Sequence, residues 1–594
     1  ASARVWKRRD GVDKIRSMSS AVNLTRGQPS ADLDSLNARW PWYFGGALLA
    51  TAVLYFARLG ARALWASEFR WAEIAREMLL THNYFWPTLN GRVYFDKPLG
   101  TYWLVIGSTW ITGAMNEMAA RIPCAVAGLL AVAFLMLLAR RLYDAKAALL
   151  AGVVLATSYS FVFFSRTASA DVETIAGELA ALLLFFRYER QPGPGVIWLW
   201  VVMAITSQMK GLLGFVLPIL VIGSYCCLAD GWSELGQRIL YGPIANRLRW
   251  LLGRNSWLFN RWSLVAIPLG IALYYLPFAI SDHIQGSPKG LQMVFRENVV
   301  RFFHPFDHRG PIYLYVYVIF LLMAPWAMLL PAALVEAHRR VAKTRERADR
   351  LALVYFWATF AFFTLSGSRR DYYILPILPA GALLVGRLLT QDAIDSLWAR
   401  RLTACGFGVI ASGTLVAIAL LVPPRLILRG PLAALPPLPD RAVFVVCWFA
   451  SVGAVLYALR GYSPRRVALS TAVIAYLMLV YLNIFALPAA EVYRGEKEFG
   501  LQIRLLLRGD LSKVAFYNTE GPLFYMNPPQ PIPQFDQLGQ LKDALGKGQL
   551  EWLVTRRSDL DQVRGTVRLT ESSYPWETEE QTRNRGVLVE LPKP

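Results

Sequence analysis

Residues 121–139 have the sequence RIPCAVAGLLAVAFLMLLA, an apolar run whose only charged residue is the first one. A helix of this length rises roughly 28 Å, close to the hydrocarbon thickness of a bilayer, so the run predicts a transmembrane helix. The whole chain shares this character, since 55% of its 594 residues are hydrophobic, 17% are charged and 20 are Trp. Such a composition excludes an ordinary soluble protein of this size.

Thirteen apolar runs of this kind lie between residues 41 and 487. They cover residues 41–59, 121–139, 147–164, 172–186, 196–209, 211–229, 263–280, 311–330, 351–365, 372–389, 402–422, 442–459 and 467–487. The sequence therefore predicts an all-α polytopic membrane protein with about thirteen transmembrane helices.

The charge of the chain is divided unevenly along its length. The whole sequence has 62 Lys and Arg against 41 Asp and Glu, a net charge of +21, whereas residues 488–594 contain 14 and 15. Excess positive charge in a membrane region marks cytoplasmic loops, so we expect no nucleic acid partner. Residues 488–594 have an ordinary soluble composition, and their strand-like runs at 513–517 and 551–555 with a helical stretch at 535–545 predict a small α/β domain.

The positions of the cations predict the topology. With residues 1–40 as a cytoplasmic tail, the Arg-rich segments 140–141, 238–261, 339–350 and 400–401 all fall on the cytoplasmic side. The membrane domain, residues 41–487, then has long outer loops at 60–120 and 281–310. An odd number of crossings places residues 488–594 on the outer face, which is periplasmic if the protein lies in a bacterial inner membrane.

The first outer loop contains an amphipathic segment, residues 68–81 (EFRWAEIAREMLLT). Trp71 and Ile74 share one side of the predicted helix, and Glu73 and Arg76 share the other. This pattern predicts a helix that lies in the membrane interface, with Ser67 as its N-cap.

Ionisable residues at the outer edge of the membrane are the candidates for chemistry, because such groups are costly there unless they are used. The acids are Glu68 and Asp171, and the other candidates are Arg70, Tyr94, Lys97, Lys210, Arg301, Arg369 and Arg370. Acids and cations together suit transfer from a phosphate-linked donor, in which a carboxylate positions or deprotonates the acceptor and cations neutralise the leaving phosphate. Simpler roles stay open: an acid at a helix N-terminus is stabilising, and Lys97 could snorkel.

Two further patterns could indicate special chemistry. His304 and His308 frame the sequence HPFDH, a spacing that could present ligands to a metal, but Pro305 disfavours a helix there and solvated loop histidines are commoner. We predict no zinc site and leave the metal content unknown. The five cysteines lie in apolar runs and indicate no disulfide framework.

The stretch 67–103, SEFRWAEIAREMLLTHNYFWPTLNGRVYFDKPLGTYW, resembles the first outer loop of the bacterial 4-amino-4-deoxy-L-arabinose (aminoarabinose) lipid A transferases. These belong to the GT-C glycosyltransferases, which include protein O-mannosyltransferases. Similar segments recur at RTASAD, MKGLLG, RFFHPFDHRGPIYLY and SRRDYYILPILPA. The family motif starts Asp-Glu-x-Arg-Tyr-Ala-Glu and continues to Tyr-Phe-Glu-Lys-Pro. In this chain Ser67 replaces the leading Asp, Trp71 replaces the Tyr, and Asp96 replaces the Glu of Tyr-Phe-Glu-Lys-Pro.

The resemblance implies a GT-C fold with Glu68 and Asp171 at the reaction centre, Arg70 and Lys97 near the lipid phosphate, and Tyr94 beside it. It implies that the sugar is taken from undecaprenyl phosphate and attached to lipid A phosphates on the periplasmic side by inverting displacement. The product would give resistance to polymyxin and other cationic peptides. No cofactor is required by this scheme beyond the lipid-linked donor substrate, and we expect a monomer.

Two other functions compete with this one. A protein O-mannosyltransferase, or another polyprenyl-phosphate-sugar transferase, would have a similar membrane domain. A hydroxyl acceptor needs an acid that removes its proton, whereas a lipid A phosphate is already ionised near neutral pH. A lipid flippase or transporter would carry polar groups at mid-membrane on broken helices, in repeated halves. The clustering of charge at one edge disfavours transport.

Overall fold

The computed structural model describes residues 36–65, 67–189, 193–228, 243–258, 260–304, 310–344, 346–391, 394, 396–416, 438–460, 463–546, 548–574 and 577–592. Within these ranges, six helices are long and apolar enough to cross a membrane, or up to eight if each of two bent pairs forms one span. The chain is thus a polytopic membrane protein, as predicted, but the count of about thirteen helices is not confirmed. Most of the predicted tail, residues 1–40, and the end of the run 402–422 lie outside the described residues.

The helices that precede residue 488 differ in length and include several short outer segments. In chain order they are α1 (Trp40–Phe56), α2 (Glu68–Thr81), α3 (Gly100–Thr112), α4 (Glu117–Leu142), α5 (Ala145–Ala156), α6 (Tyr159–Ser165), α7 (Asp171–Tyr188), α8 (Gly195–Lys210), α9 (Leu213–Cys227), α10 (Ile244–Arg254), α11 (Ser263–Gln285), α12 (Lys289–Phe295), α13 (Leu314–Leu322), α14 (Leu330–Thr344), α15 (Arg347–Leu365), α16 (Leu378–Leu389), α17 (Leu397–Val416), α18 (Arg441–Leu459) and α19 (Pro464–Val480). A π-helical segment, Arg296–Val300, follows α12, and a 3₁₀ segment, Asp371–Ile377, precedes α16.

The membrane core is arranged around α4 and α7. Helix α4 packs against α1, α5 and α7, and α8 packs against α7 and α11. The side chains between them are apolar and fully buried, as Leu54, Leu135 and Leu182 illustrate. Since α7 and α8 are consecutive and joined by a short connection, they run antiparallel, so the start of α7 and the end of α8 lie at the same side of the membrane domain. This arrangement brings Asp171 and Lys210 together.

The outer helix α2 is buried on both of its faces. The side chains of Glu73 and Arg76 are 0% and 8% exposed. Arg76 Nη1 donates hydrogen bonds to the carbonyl of Pro528 at 2.9 Å and to Asn527 Oδ1 at 3.0 Å, both in the C-terminal domain. The helix therefore differs from the predicted interfacial helix, because the C-terminal domain covers its polar face. Ser67 precedes the helix but its side chain makes no capping hydrogen bond.

A small hairpin follows α2 and also contacts the C-terminal domain. Strands β1 (Thr88–Leu89) and β2 (Arg92–Val93) pair in antiparallel fashion around Asn90 and Gly91. Both turn residues have positive φ, 51° and 72°, as a type I′ Asn-Gly turn requires. The Asn90 side chain donates to the carbonyl of Ile532 and accepts from its N–H, each at 2.8 Å. The turn thereby joins the outer loop to the C-terminal domain.

The C-terminal region forms the small α/β domain that its composition predicts. Its strands are β3 (Val514–Tyr517), β4 (Gln534–Phe535), β5 (Trp552–Arg556), β6 (Thr566–Thr570) and β7 (Gly586–Glu590), and its helices are α20 (Glu496–Leu506), α21 (Leu523–Met526), α22 (Leu538–Gly546) and α23 (Glu579–Arg583). The sheet order is β4-β3-β5-β7-β6, with β3 parallel to β4 and β5 and the other pairs antiparallel. One apolar cluster contains Ile74 of α2 together with Ile503 and Phe516 of this domain, so the two parts share a core.

Candidate active site

Five segments of the fold contribute to the candidate site. They are the loop at residues 94–97, the start of α7, the end of α8, the π-helical segment and the 3₁₀ segment Asp371–Ile377. The electrostatics of Lys97 bring three of these segments together, namely the loop at residues 94–97, the end of α8 and the π-helical segment with the residue that follows it. Desolvation lowers the pKa of this lysine, the carboxylates of Asp96 and Glu297 oppose the change, and the cations Arg301 and Lys210 add to it. The predicted cations Lys97, Lys210 and Arg301 are therefore brought within electrostatic reach of one another.

Lys210 forms a buried ion pair with Asp171. The lysine is the last residue of α8 and the aspartate is the first residue of α7, and Lys210 Nζ contacts Asp171 Oδ1 directly. The ammonium also lies 5.9 Å and 5.5 Å from the ring centroids of Tyr372 and Tyr373. Aromatic faces attract cations, so three side chains, those of Asp171, Tyr372 and Tyr373, hold Lys210 in place.

Arg301, in the helical turn Arg301–Phe303 directly after the π-helical segment, forms a second ion pair. Its Nη1 atom lies 2.5 Å from Oε2 of Glu297, four residues earlier, and both side chains are largely buried. Asn298 connects this segment to α8, because its Oδ1 accepts a hydrogen bond from the N–H of Leu212 at 2.9 Å. Gly211, with φ of +79°, lies directly against Asn298. The turn that ends α8 is thus tied to the helix that carries Arg301.

Lys97 belongs to a third pair in the loop at residues 94–97. Its Nζ atom lies 3.6 Å from Asp96 Oδ2 and donates to the Asp96 carbonyl at 2.8 Å. The Asp96 carboxylate also accepts a hydrogen bond from Tyr94 Oη at 3.5 Å. Arg70 Nη1 in turn donates to Tyr94 Oη at 2.5 Å. Burial raises the pKa of Tyr94, so the phenol stays protonated and donates.

These contacts share one electrostatic pattern. Three of the predicted cations, Lys97, Lys210 and Arg301, each have a carboxylate partner, respectively Asp96, Asp171 and Glu297. The charges balance within each pair. An anionic ligand that binds among the three cations must therefore compete with at least one carboxylate.

Glu68 is placed differently from the other candidates. It is 2% exposed, and its two oxygens accept hydrogen bonds from Arg121 Nε at 2.8 Å and Nη2 at 2.7 Å. They also accept from the N–H groups of Trp65 at 2.9 Å and Ala168 at 2.8 Å. Four hydrogen bonds occupy the four lone-pair positions of a carboxylate. This geometry favours a structural role for Glu68 and leaves Asp171 as the candidate acid for the chemistry.

Arg369 and Arg370 lie directly before the 3₁₀ segment Asp371–Ile377. Arg369 donates from Nε to the carbonyl of Thr364 at 3.1 Å and from Nη1 to the carbonyl of Gly310 at 2.9 Å, which ties two outer segments together. Arg370 is exposed and donates to Tyr372 Oη at 3.1 Å. It therefore borders the ring that lies beside Lys210. His308 of the HPFDH pattern lies outside the described residues.

Three residues near the site were not singled out by the sequence. Glu297 and Asn298 lie on the π-helical segment, and Glu520 lies in the C-terminal domain. Burial raises the pKa of Glu520, and Arg70 opposes this shift, so the C-terminal domain comes within electrostatic reach of Arg70. Of these three residues, only Glu297 has a signal in the sequence. It lies four residues before Arg301, and residues four apart on a helix are neighbours, so this spacing predicts an ion pair.

Comparison with known proteins gives three findings. A family model described as dolichyl-phosphate-mannose-protein mannosyltransferase matches residues 96–248, which include Lys97, Asp171 and Lys210. The undecaprenyl phosphate-alpha-4-amino-4-deoxy-L-arabinose arabinosyl transferase 1 of Pseudomonas fluorescens Pf-5 is 28% identical over 515 residues, covering 82% of this chain and 86% of the relative. The corresponding transferase of Pseudomonas paraeruginosa is 29% identical over 520 residues, covering 82% and 87%.

Comparison with solved structures identifies a protein with the same fold. ArnT from Cupriavidus metallidurans in the apo state has a TM-score of 0.67 and 20% identity, over 93% of this chain and 98% of that one. The same protein bound to undecaprenyl phosphate has a TM-score of 0.64. The resemblance inferred from residues 67–103 is confirmed: this chain is similar over most of its length to aminoarabinose transferases, and it shares the fold of ArnT.

Proposed function

We propose that this protein transfers 4-amino-4-deoxy-L-arabinose from undecaprenyl phosphate to phosphate groups of lipid A. The observation that carries the proposal is the convergence of Lys97, Lys210 and Arg301 at one end of the membrane domain, with Arg70 and Tyr94 beside them. Both substrates have a phosphate attached to a hydrocarbon anchor. A group of cations at the edge of an apolar helical domain suits the binding of such head groups.

The chemistry requires one displacement at the anomeric carbon of the sugar. An oxygen of the lipid A phosphate attacks this carbon, the bond to the undecaprenyl phosphate oxygen breaks, and the electron pair leaves with the phosphate. The configuration inverts. The nucleophile is already ionised near neutral pH, since the second pKa of a phosphate monoester is about 6, so no proton need be removed. Lys97, Lys210 and Arg301 stabilise the charge that develops on the leaving phosphate, and Asp171 orients the acceptor.

The topology proposed from the sequence completes this scheme. We propose that the site and the C-terminal domain lie on the periplasmic side of the inner membrane, where the head groups of donor and acceptor can meet, and the odd number of crossings predicted from the sequence supports this. The proximity of Glu520 to Arg70 supports a common side for the C-terminal domain and the site. Addition of an amino sugar cancels negative charge on lipid A, so it weakens binding of polymyxin and other cationic peptides. We expect a monomer that requires no cofactor.

A second candidate is transfer to a protein hydroxyl, which the mannosyltransferase family match over residues 96–248 favours. A hydroxyl must lose its proton during attack, and Asp171 would then act as general base. Replacement of Asp171 by Asn separates the candidates. Transfer to a phosphate should tolerate the amide in part, whereas transfer to a hydroxyl should lose about 100-fold or more, the usual contribution of general-base catalysis.

The decisive experiment is transfer by the purified protein from undecaprenyl phosphate-aminoarabinose to lipid A, followed by mass spectrometry of the lipid. We expect one aminoarabinose mass increment per modified phosphate. Lys97→Ala should lower the rate roughly 10- to 100-fold, the effect of one charge-assisted hydrogen bond to phosphate. Lys513→Ala, in an exposed pair with Glu551, is the control and should keep full activity. Unmodified lipid A with wild-type protein would overturn the proposal.

A further inference from the structure

Glu297 is an acid at the site to which the proposed reaction assigns no role. Its side chain is 11% exposed, and its Oε2 atom lies 2.5 Å from Arg301 Nη1. It lies on the π-helical segment Arg296–Val300, which widens the helix immediately before Arg301. Such insertions occur frequently at functional sites. Burial and the neighbouring Asp96 raise the pKa of Glu297, so its anion is stabilised less than that of a solvated carboxylate.

The donor carries two opposite charges. On the proposed function, the undecaprenyl phosphate group is an anion and the 4-amino group of the sugar is a cation at neutral pH. When the phosphate binds Arg301, it competes with Glu297 for the guanidinium. A carboxylate that loses its partner in a largely buried position is costly unless another cation replaces that partner. The ammonium of the sugar is such a cation, and it arrives with the phosphate.

Three other acids near the site, Glu68, Asp171 and Asp96, are less suited to this exchange. Glu68 has all four lone-pair positions occupied. Asp171 has the proposed role of orienting the acceptor, and Lys210, its partner, is held additionally by two tyrosine rings. Asp96 has a side chain that is 40% exposed, so water can stabilise its charge without a second cation. Glu297 combines burial with a cation partner that phosphate can take.

We propose that Glu297 recognises the amino group of the sugar, by exchanging its ion pair with Arg301 for one with the donor ammonium while Arg301 binds the donor phosphate. This inference rests on the proposed function and deepens it, because it assigns the selectivity for an amino sugar to one side chain. The exchange conserves the number of ion pairs. Before binding there are two, the pair of Glu297 with Arg301 and the pair of opposite charges within the donor head group. After binding there are again two, Glu297 with the donor ammonium and Arg301 with the donor phosphate.

The test compares two donors that differ only at position 4 of the sugar, one with the amine and one with a hydroxyl. Wild-type protein should prefer the amine donor. In Glu297→Gln, kcat/KM for the amine donor should fall roughly 10- to 100-fold, the effect of one lost charge-assisted hydrogen bond, and kcat/KM for the hydroxyl donor should change less than about 3-fold. Undecaprenyl phosphate, which lacks the sugar, should bind equally well or more tightly. Glu579→Gln, in an exposed pair with Arg583 at the same four-residue spacing, is the matched control and should behave as wild type.

Three outcomes would overturn the inference. Equal losses for both donors, or loss of undecaprenyl phosphate binding, would make Glu297 a support for Arg301 rather than a recognition residue. If the Glu297→Gln variant kept the preference for the amine donor, Glu297 would have no part in recognition of the sugar. Glu297→Asp keeps the carboxylate and should keep part of the preference. Failure of the wild-type protein to use the amine donor at all would instead refute the proposed function, so the two failures are distinguishable.

Discussion

The buried ion pair between Glu68 and Arg121 fixes the position of the first outer loop. Besides Glu68, the Arg121 guanidinium contacts the carbonyls of Leu59, Arg62 and Ala63, and it is 3% exposed. The pair therefore joins the segment that follows α1, the start of α2 and the start of α4. A carboxylate that closes a loop in this way stabilises the fold, whatever chemistry takes place nearby.

Removal of one partner should destabilise the protein strongly. Glu68→Gln leaves the buried Arg121 charge without a counter-ion, and we expect a loss of roughly 3–5 kcal/mol in the free energy of unfolding. The measurement is thermal unfolding in detergent. A Glu68→Gln variant with wild-type stability and no transfer would place Glu68 in the reaction instead.

Lys97 predicts a pH dependence for donor use. Its pKa is lowered from the ordinary value of 10.5, chiefly by burial. Lysine is charged below its pKa and neutral above it, so the attraction to the donor phosphate is present at low pH and is lost as pH rises through the lowered pKa. We expect kcat/KM, which reports groups of the free enzyme, to fall at a lower pH than an exposed lysine would give. In Lys97→Arg the guanidinium stays charged, so this fall should disappear. The same fall in both proteins would exclude Lys97 as its source.

At the scale of elements, the turn between α8 and α9 fixes two parts of the site. Gly211 has φ of +79°, and a Cβ atom there would meet Asn298 Oδ1 at 2.2 Å. Gly211→Ala should therefore strain the turn and push the π-helical segment away from Lys210. We expect a loss of about 1–3 kcal/mol in stability, together with a higher KM for the donor. Gly107→Ala in α3, where a Cβ meets nothing within 4 Å, should be neutral or slightly stabilising. If Gly211→Ala and Gly107→Ala had the same stability and the same KM for the donor, the turn would not fix the two parts of the site.

Patterns along the sequence predict these elements well when each element meets lipid or packs locally. Apolar runs indicate membrane helices, alternating runs indicate the strands of the C-terminal domain, and Lys210 stands out because it interrupts an apolar run. Such patterns fail where the surroundings of an element depend on a segment that is far away in the sequence. The polar face of α2 suggests an interface with water, but residues about 450 positions away cover it. The role of Glu297 depends on a π-helical segment that no local propensity indicates.

At the scale of the whole molecule, the C-terminal domain is bound firmly to the outer loop. Besides the contacts of Arg76 and Asn90, Tyr525 Oη accepts from the N–H of Leu64 at 2.7 Å, and Lys497 Nζ pairs with Glu117 at 2.6 Å. Helix α2 lies between this domain and the membrane helices, and it carries Arg70. The domain therefore holds in place a helix that reaches the site, and Glu520 adds a charge near the same arginine.

Arg76 tests whether this docking matters for the reaction. Its guanidinium binds Glu73 through Nε and Nη2 and reaches Asn527 and Pro528 through Nη1. Arg76→Lys keeps the charge beside Glu73, but a single ammonium cannot reproduce the planar fork, so the contact with the C-terminal domain should be lost. We expect faster hydrogen exchange of the backbone amides in residues 68–81, and lower transfer activity because Arg70 is held less firmly. Arg583→Lys, in an exposed pair, should change neither. Unchanged exchange and activity in Arg76→Lys would mean that α2 keeps its position without the C-terminal domain, and that Arg70 depends on the membrane helices alone.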